Sequence, residues 1–275
     1  MTKAPYIHDQ NIVYPKIESE HMIKSEKVHD YVYDENFDYR LQKGFKNKFI
    51  KFWVKFVILF LAKPICMIRY ALIIKGRKNI KEYYKLTNSK AMISVSNHTT
   101  EWDVLFAFCT RMFKLPEFPA WYEGIESKSG MFYRYAGAFP VPRNSREGLL
   151  HSYQCFKDIV NEGKWIHIYP EAACWAFYPA VRNFQLGAFK LAYESNLPVL
   201  PFAVTYRAPK GIYKLFKKHP NAKIEIGEPL LTDFSLEKND AIKDLCYRTR
   251  SSIMKMMGIE SENENDEIKA MLQHA

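Results

Sequence analysis

The stretch Ala91-Met92-Ile93-Ser94-Val95-Ser96-Asn97-His98-Thr99-Thr100-Glu101-Trp102-Asp103 decides the fold, because its pattern changes midway. Residues 91–95 are mostly apolar and of strand length, a polar loop follows, and residues 102–111 read as helix. A strand that runs through a polar loop into a helix is half of a βα unit. Outward from this point the alternation continues. Residues 138–141 read as strand, 146–160 as helix, 165–169 as strand and 186–194 as helix. Residues 199–206 and 222–226 read as strands, and 236–257 as a long closing helix. This succession predicts an α/β fold: a mixed, mostly parallel sheet flanked by helices. Sheets of that kind place their sites beyond the carboxyl ends of strands. No internal repeat is found.

The chain has 275 residues, which suits one large α/β domain with appended elements. Four segments are expected: an irregular polar arm over 1–40, a helical segment over 41–74, the main domain over 75–259 and an acidic, frayed tail over 260–275. Lys+Arg exceed Asp+Glu by 40 − 30 = 10, which points to an anionic partner. The five cysteines are an odd number without a C-x-x-C pair, so a disulfide framework or zinc set is not indicated and a reducing compartment is the simplest reading. Met1 to Gln10 lack the apolar core of a signal peptide. The arm is given no catalytic role.

From Leu41 the character changes. Lys43, Lys46, Lys48, Lys51 and Lys55 interleave with Phe45, Phe49, Phe52 and Trp53, and the apolar run Phe56 to Ala62 follows. That run is shorter than the roughly 20 residues a bilayer span needs. Lys63-Pro64 is then expected to break the helix. An interfacial or re-entrant helical pair fits best, with lysines reaching anionic headgroups and aromatic rings at the acyl boundary. A buried core helix and a tilted span are the alternatives. Because the densest lysine cluster adjoins an apolar helix and forms no separate basic stripe, no nucleic-acid partner is expected.

Four segments carry candidate chemistry. With His98 in the loop after its strand and Asp103 in the first helical turn, the carboxylate can fold back onto one imidazole nitrogen and leave the other free as a base. Thr100 and Asp103 equally fit a capping box. A metal set of His98, Glu101 and Asp103 lacks a second His or Cys cluster. Gly137 to Asn144 leads from a strand into a helix that Asn144 and Glu147 can cap, and Arg143 there is a candidate phosphate-binding residue. Ile168-Tyr169-Pro170-Glu171 is a further strand end, whose carboxylate can bond an acceptor hydroxyl or brace Arg143. Leu197 to Pro201 brackets a strand start with prolines and can help shape a donor site.

Taken together and in this order, from about Lys75 to Tyr206, these segments resemble the glycerolipid acyltransferase family, which includes the 1-acylglycerol-3-phosphate acyltransferases. The resemblance implies a glycerol-3-phosphate acyltransferase-like fold preceded by a membrane-associating helical segment. It implies His98 and Asp103 as catalytic residues, and Asn97, Gly137, Arg143, Pro170 and Glu171 as the substrate-binding motif positions. It implies transfer of a fatty acyl group from acyl-CoA or acyl carrier protein to a lysophospholipid, most simply 1-acylglycerol-3-phosphate, in phospholipid biosynthesis. The expected partners are membrane lipids and the acyl carrier, with no cofactor and no metal, at the cytoplasmic face of a membrane; no oligomeric state is implied. One departure stands out. Where the family continues Pro-Glu-Gly-Thr-Arg, this chain reads Pro170-Glu171-Ala172-Ala173-Cys174-Trp175, similar to an aromatic-rich variant of the motif. An acceptor other than lysophosphatidate, or a catalytically silent lipid-binding protein, is the alternative. Arg182 or Lys190 is a candidate to replace the missing charge.

Overall fold

The computed structural model describes residues 5–8, 12–22, 26–211, 213–216 and 219–273. Parts of the expected arm (1–4, 9–11 and 23–25) and the last two residues of the tail lie outside them. In chain order the elements are α1 (Phe45–Val57), a π-helical turn (Ile58–Ala62), α2 (Lys63–Arg69), β1 (Ile73–Lys75), α3 (Arg77–Thr87), β2 (Met92–Ser96) and α4 (Asp103–Cys109). Then come β3 (Phe118–Trp121), α5 (Tyr122–Glu126), α6 (Gly130–Ala136), β4 (Ala138–Val141), α7 (Arg146–Asn161), β5 (Trp165–Ile168) and α8 (Gly187–Ser195). The chain finishes with β6 (Val199–Arg207), α9 (Tyr213–Phe216), β7 (Asn221–Ile226), α10 (Lys238–Met257) and α11 (Glu262–Gln273).

The main sheet runs β1-β7-β6-β2-β5. Every pair is parallel except β6–β7, so the sheet is mixed and mostly parallel, as expected. β2 lies between β6 and β5 and is buried throughout. Its alternate residues face opposite layers, as the two-residue period of a strand requires. Ile93 and Val95 join the cluster made with Ile159 of α7, Leu191 of α8 and Leu245 of α10, while Met92 joins Tyr83 of α3 and Phe106 of α4. β4 is not in this sheet. It pairs in parallel with β3, and Glu117, just ahead of β3, makes a parallel bridge to Ile166 that sets this small ribbon beside β5. The carboxyl ends of β2, β4 and β5 therefore open on the same side.

Three expectations change. Pro64 does not break the helix. Proline has no N–H to give and crowds the preceding turn. The turn ahead of it widens so that the Lys63 N–H reaches back to the Ile58 carbonyl, and the helix runs on into α2. The acidic tail is not frayed: α11 packs on the domain through buried Asn265, whose amide bonds both the N–H and the C=O of Val181 at 2.9 Å, and through the pair Arg250–Glu262. The arm is irregular as read, but it is packed across the domain and not ahead of it. Tyr14, Tyr33 and Tyr39 are buried in the main core, and Arg40 pairs with Glu117 at 2.6 Å and Glu162 at 2.8 Å.

The continuous helix from α1 to α2 has two unlike sides. Ile58, Lys63 and Cys66 are buried, and the Lys63 ammonium donates to the carbonyls of Arg111 and Met112 at the end of α4. Phe45, Phe49, Phe52, Trp53, Phe56 and Phe60 are exposed. Among the described residues no helix is long and apolar enough to cross a membrane.

Candidate active site

Asn97 is fully buried at the end of β2 and clamps β6, its amide exchanging bonds of 2.9 and 2.8 Å with Val204. It fixes the exit of the next residue, His98, and does not face the cavity described below. Asp103 opens α4. Its Oδ2 accepts from the backbone N–H of Thr99 and Thr100 and lies 3.1 Å from His98 Nδ1. The carboxylate thus pins the loop ahead of α4 and the imidazole at once, and no side chain caps the helix itself. Because the carboxylate accepts, Nδ1 keeps its proton, and in the neutral imidazole Nε2 is the nitrogen left free for other work. Burial acts to lower the His98 pKa, but the Cys174 sulfur and the Asp103 carboxylate outweigh it and hold the imidazole above its ordinary value. Burial likewise pushes the Asp103 carboxyl up, partly offset by His98 and the two N–H groups.

The segment after β5 is tied to the same loop. Glu171 is buried and does not brace Arg143. One oxygen accepts from the His98 N–H at 3.0 Å and from Arg182 Nη2 at 2.7 Å, and the other accepts the Arg182 N–H at 3.0 Å. The mutual attraction of the pair, with the added hydrogen bonds, offsets part of the desolvation cost that either buried charge alone would carry. Its carboxylate is spent on protein donors, so Glu171 positions the His98 backbone and is not aimed at an acceptor hydroxyl. Arg182 stacks over Trp175 and is held through both of its Nη atoms by Glu18, Glu171 and Ala173, and Lys190 lies over Tyr153 beside Glu194; neither replaces a headgroup charge. Ala172 has φ 62°, so the loop keeps the left-handed turn that a glycine would favour.

A cavity of about 630 Å³ brings these ends together. That is within the usual range for a small-molecule site. His98, Arg143, Pro170 and Cys174 line it, with Val104, Phe118, Ile125, Phe156 and Ile168 among its apolar walls. Arg143 is exposed and makes only a 3.4 Å contact to the Ala172 carbonyl, so its guanidinium is available. Ser145, not Asn144, caps α7, accepting the Gly148 N–H at 3.0 Å. Gly137 is outside the cavity; at φ 115° it turns the chain from α6 into β4, where an added Cβ would stand 3.1 Å from the Pro116 carbonyl oxygen. The 198–201 segment does not line the cavity either.

Sequence reasoning missed several cavity residues. Tyr169 stacks on the His98 ring at 4.2 Å, and its buried hydroxyl has no hydrogen-bond partner. His167, behind it, is held neutral, its pKa lowered to about 3 by burial and by His98, and its ring lies between the hydroxyls of Ser94 and Ser96. His21 of the arm also lines the cavity. Tyr169 and Cys174 flank segments already singled out, whereas nothing in the arm's pattern marks His21. Among the described residues no group of three or more His, Cys, Asp or Glu is arranged to hold a metal.

Residues 72–205 match the family model described as Acyltransferase, a span that includes His98, Asp103, Arg143 and Glu171. The fold and these strand-end loops therefore define an acyltransferase domain. Over that span, just under half of the chain, its sequence is that of the Acyltransferase family. A similar solved structure is that of the 1-acyl-sn-glycerophosphate (LPA) acyltransferase PlsC from Thermotoga maritima, 13% identical, with a TM-score of 0.48 over 77% of this chain and 97% of that one. No curated protein matches the chain.

Proposed function

We propose that this acyltransferase moves a fatty acyl group from an acyl thioester, acyl-CoA or acyl carrier protein, to the free hydroxyl of a lysophospholipid, 1-acylglycerol-3-phosphate or a close relative, in phospholipid biosynthesis. The observation that carries this is one apolar cavity holding an Asp-oriented imidazole and an unengaged arginine. His98 Nε2 takes the acceptor proton as the hydroxyl oxygen attacks the thioester carbonyl, and the Nδ1–H remains on Asp103. The C–S bond breaks, and the departing thiolate takes the proton back from the imidazolium. Base assistance of this kind contributes about 10²- to 10⁴-fold. Arg143 holds the headgroup phosphate.

The exposed aromatic stripe of α1 supports action at a membrane surface. Apolar area of that size is unusual on a free surface, and exposed Lys43, Lys46, Lys48 and Lys55 flank it for anionic headgroups. Its underside is the back of the cavity wall, since buried Ile58 packs in one cluster with Phe118 and Ile125, which both line the cavity. Purified protein incubated with labelled acyl-CoA and a panel of lysolipids should give diacyl product. His98→Ala should lower turnover by at least about 10²-fold with an unchanged melting temperature. Full activity in folded His98→Ala would overturn the assignment.

A further inference from the structure

The arm does more than cover the domain. Glu18 accepts the Asn183 N–H at 2.9 Å, pairs with Lys269 at 2.8 Å and, through its carbonyl, receives Arg182 at 3.0 Å. The Glu20 carbonyl accepts the Trp175 indole N–H at 2.7 Å. Further on, Lys27 pairs with Glu126 at 3.3 Å, and its backbone bridges to Ser127. Between these anchors the His21 ring lies flat on Trp121, centroids 4.0 Å apart and planes within 7°, and borders the cavity with His98 and Arg143.

We propose that His21 is a headgroup-binding residue, delivered by the arm, which together with Arg143 holds the anionic phosphate of the acceptor. The proposal rests on the acyl-transfer reading above for the identity of that acceptor. Among the described residues, the cavity-lining side chains able to carry positive charge are His21, His98 and Arg143, and Glu101 is the single carboxylate among them. Tyr133, Tyr153, Tyr169 and Cys174 are the other titratable groups facing the space. Arg182 lies behind the wall with its charge balanced by Glu171. The field at His21 is accordingly positive. Burial, then His98, Arg143 and Arg182, lower its pKa to about 4, so the empty site holds it neutral. A phosphate carrying up to two negative charges reverses that field and favours the imidazolium, which adds a second charged donor beside Arg143. Acceptor binding therefore takes up a proton at His21.

The test compares wild type with His21→Ala and with His21→Phe, which keeps a flat ring on Trp121. The expected result in both variants is a rise of about tenfold in KM for 1-acylglycerol-3-phosphate, with kcat and the donor KM within about twofold and the KM for uncharged monoacylglycerol unmoved, a loss of about 1.4 kcal/mol. In histidine-labelled wild type, glycerol 3-phosphate should raise the His21 pKa from about 4 toward the ordinary range, read by NMR with His21→Phe as the assignment. An imidazole that glycerol 3-phosphate does not move, or equal KM changes for charged and uncharged acceptors, overturns the proposal. The NMR arm needs no turnover. Absence of transferase activity with every acceptor would sink the acyl-transfer reading while the His21 titration still answered for the anion site.

Discussion

Ala172 holds a left-handed backbone, φ 62°, between Glu171 and the Ala173 carbonyl that receives Arg182. An L side chain there costs about 1 kcal/mol or somewhat more. Ala172→Gly is therefore expected to stabilise the protein by about 0.5–1 kcal/mol and to raise the melting temperature by about 1–4 °C, with activity within about twofold. A lower melting temperature would show instead that the methyl group packs productively. The family-departing loop thus keeps its shape and loses only its charge. His98, Asp103 and Arg143 were legible because each lies just past a strand, and parallel strands end together. The partners of Glu171 were not, since Arg182 is eleven residues on and its contact is made by a loop without period. His21 was hidden for the same reason: an irregular segment has no repeat from which its neighbours can be inferred.

The strands and long helices of the domain were readable from alternation and helical period, with ends displaced by a residue or two. β1, α3, β3, α5 and α6 escaped notice because they are short or polar, and sheet pairing rather than local pattern holds β3 in place. α11 was misread for its acidity: Asp266 and Glu267 face outward, while Glu262 pairs with Arg250 and Asn265 and Ile268 go in. Proline at 64 was misread because one wide turn absorbs it. The rings of the α1 stripe are exposed and pack on one another, so their removal should spare the fold. The triple replacement Phe52→Ser, Trp53→Ser and Phe56→Ser should weaken liposome binding by about 3 kcal/mol, roughly 100-fold, in a flotation or sedimentation assay, with an unchanged melting temperature. Undiminished binding would move the membrane contact elsewhere.

At the scale of the whole molecule, Arg40 joins the arm to the end of α7 through Glu162 and to the residue ahead of β3 through Glu117. Arg40, and Lys164 beside it, hold the Glu162 carboxyl at about 2, below its ordinary value of 4.5. For Glu117, burial acts upward, but Arg40 prevails and the pKa is lowered. A lowered folded-state pKa contributes stability that is present above the unfolded value and lost as pH falls through the folded one. The melting temperature should thus decline between about pH 4.5 and pH 2. Arg40→Met should lower it at neutral pH, and the difference from wild type should shrink as acid is added. A constant difference across that range would show that Arg40 acts by packing alone. The pairing of Glu18 with Lys269 spans 251 residues of sequence. The seat of the arm on α11 is therefore a contact that no local folding step can supply, whereas Trp175, Arg182 and Asn183 hold the same stretch of the arm from the middle of the chain; the arm settles only when distant parts of the sequence have already met.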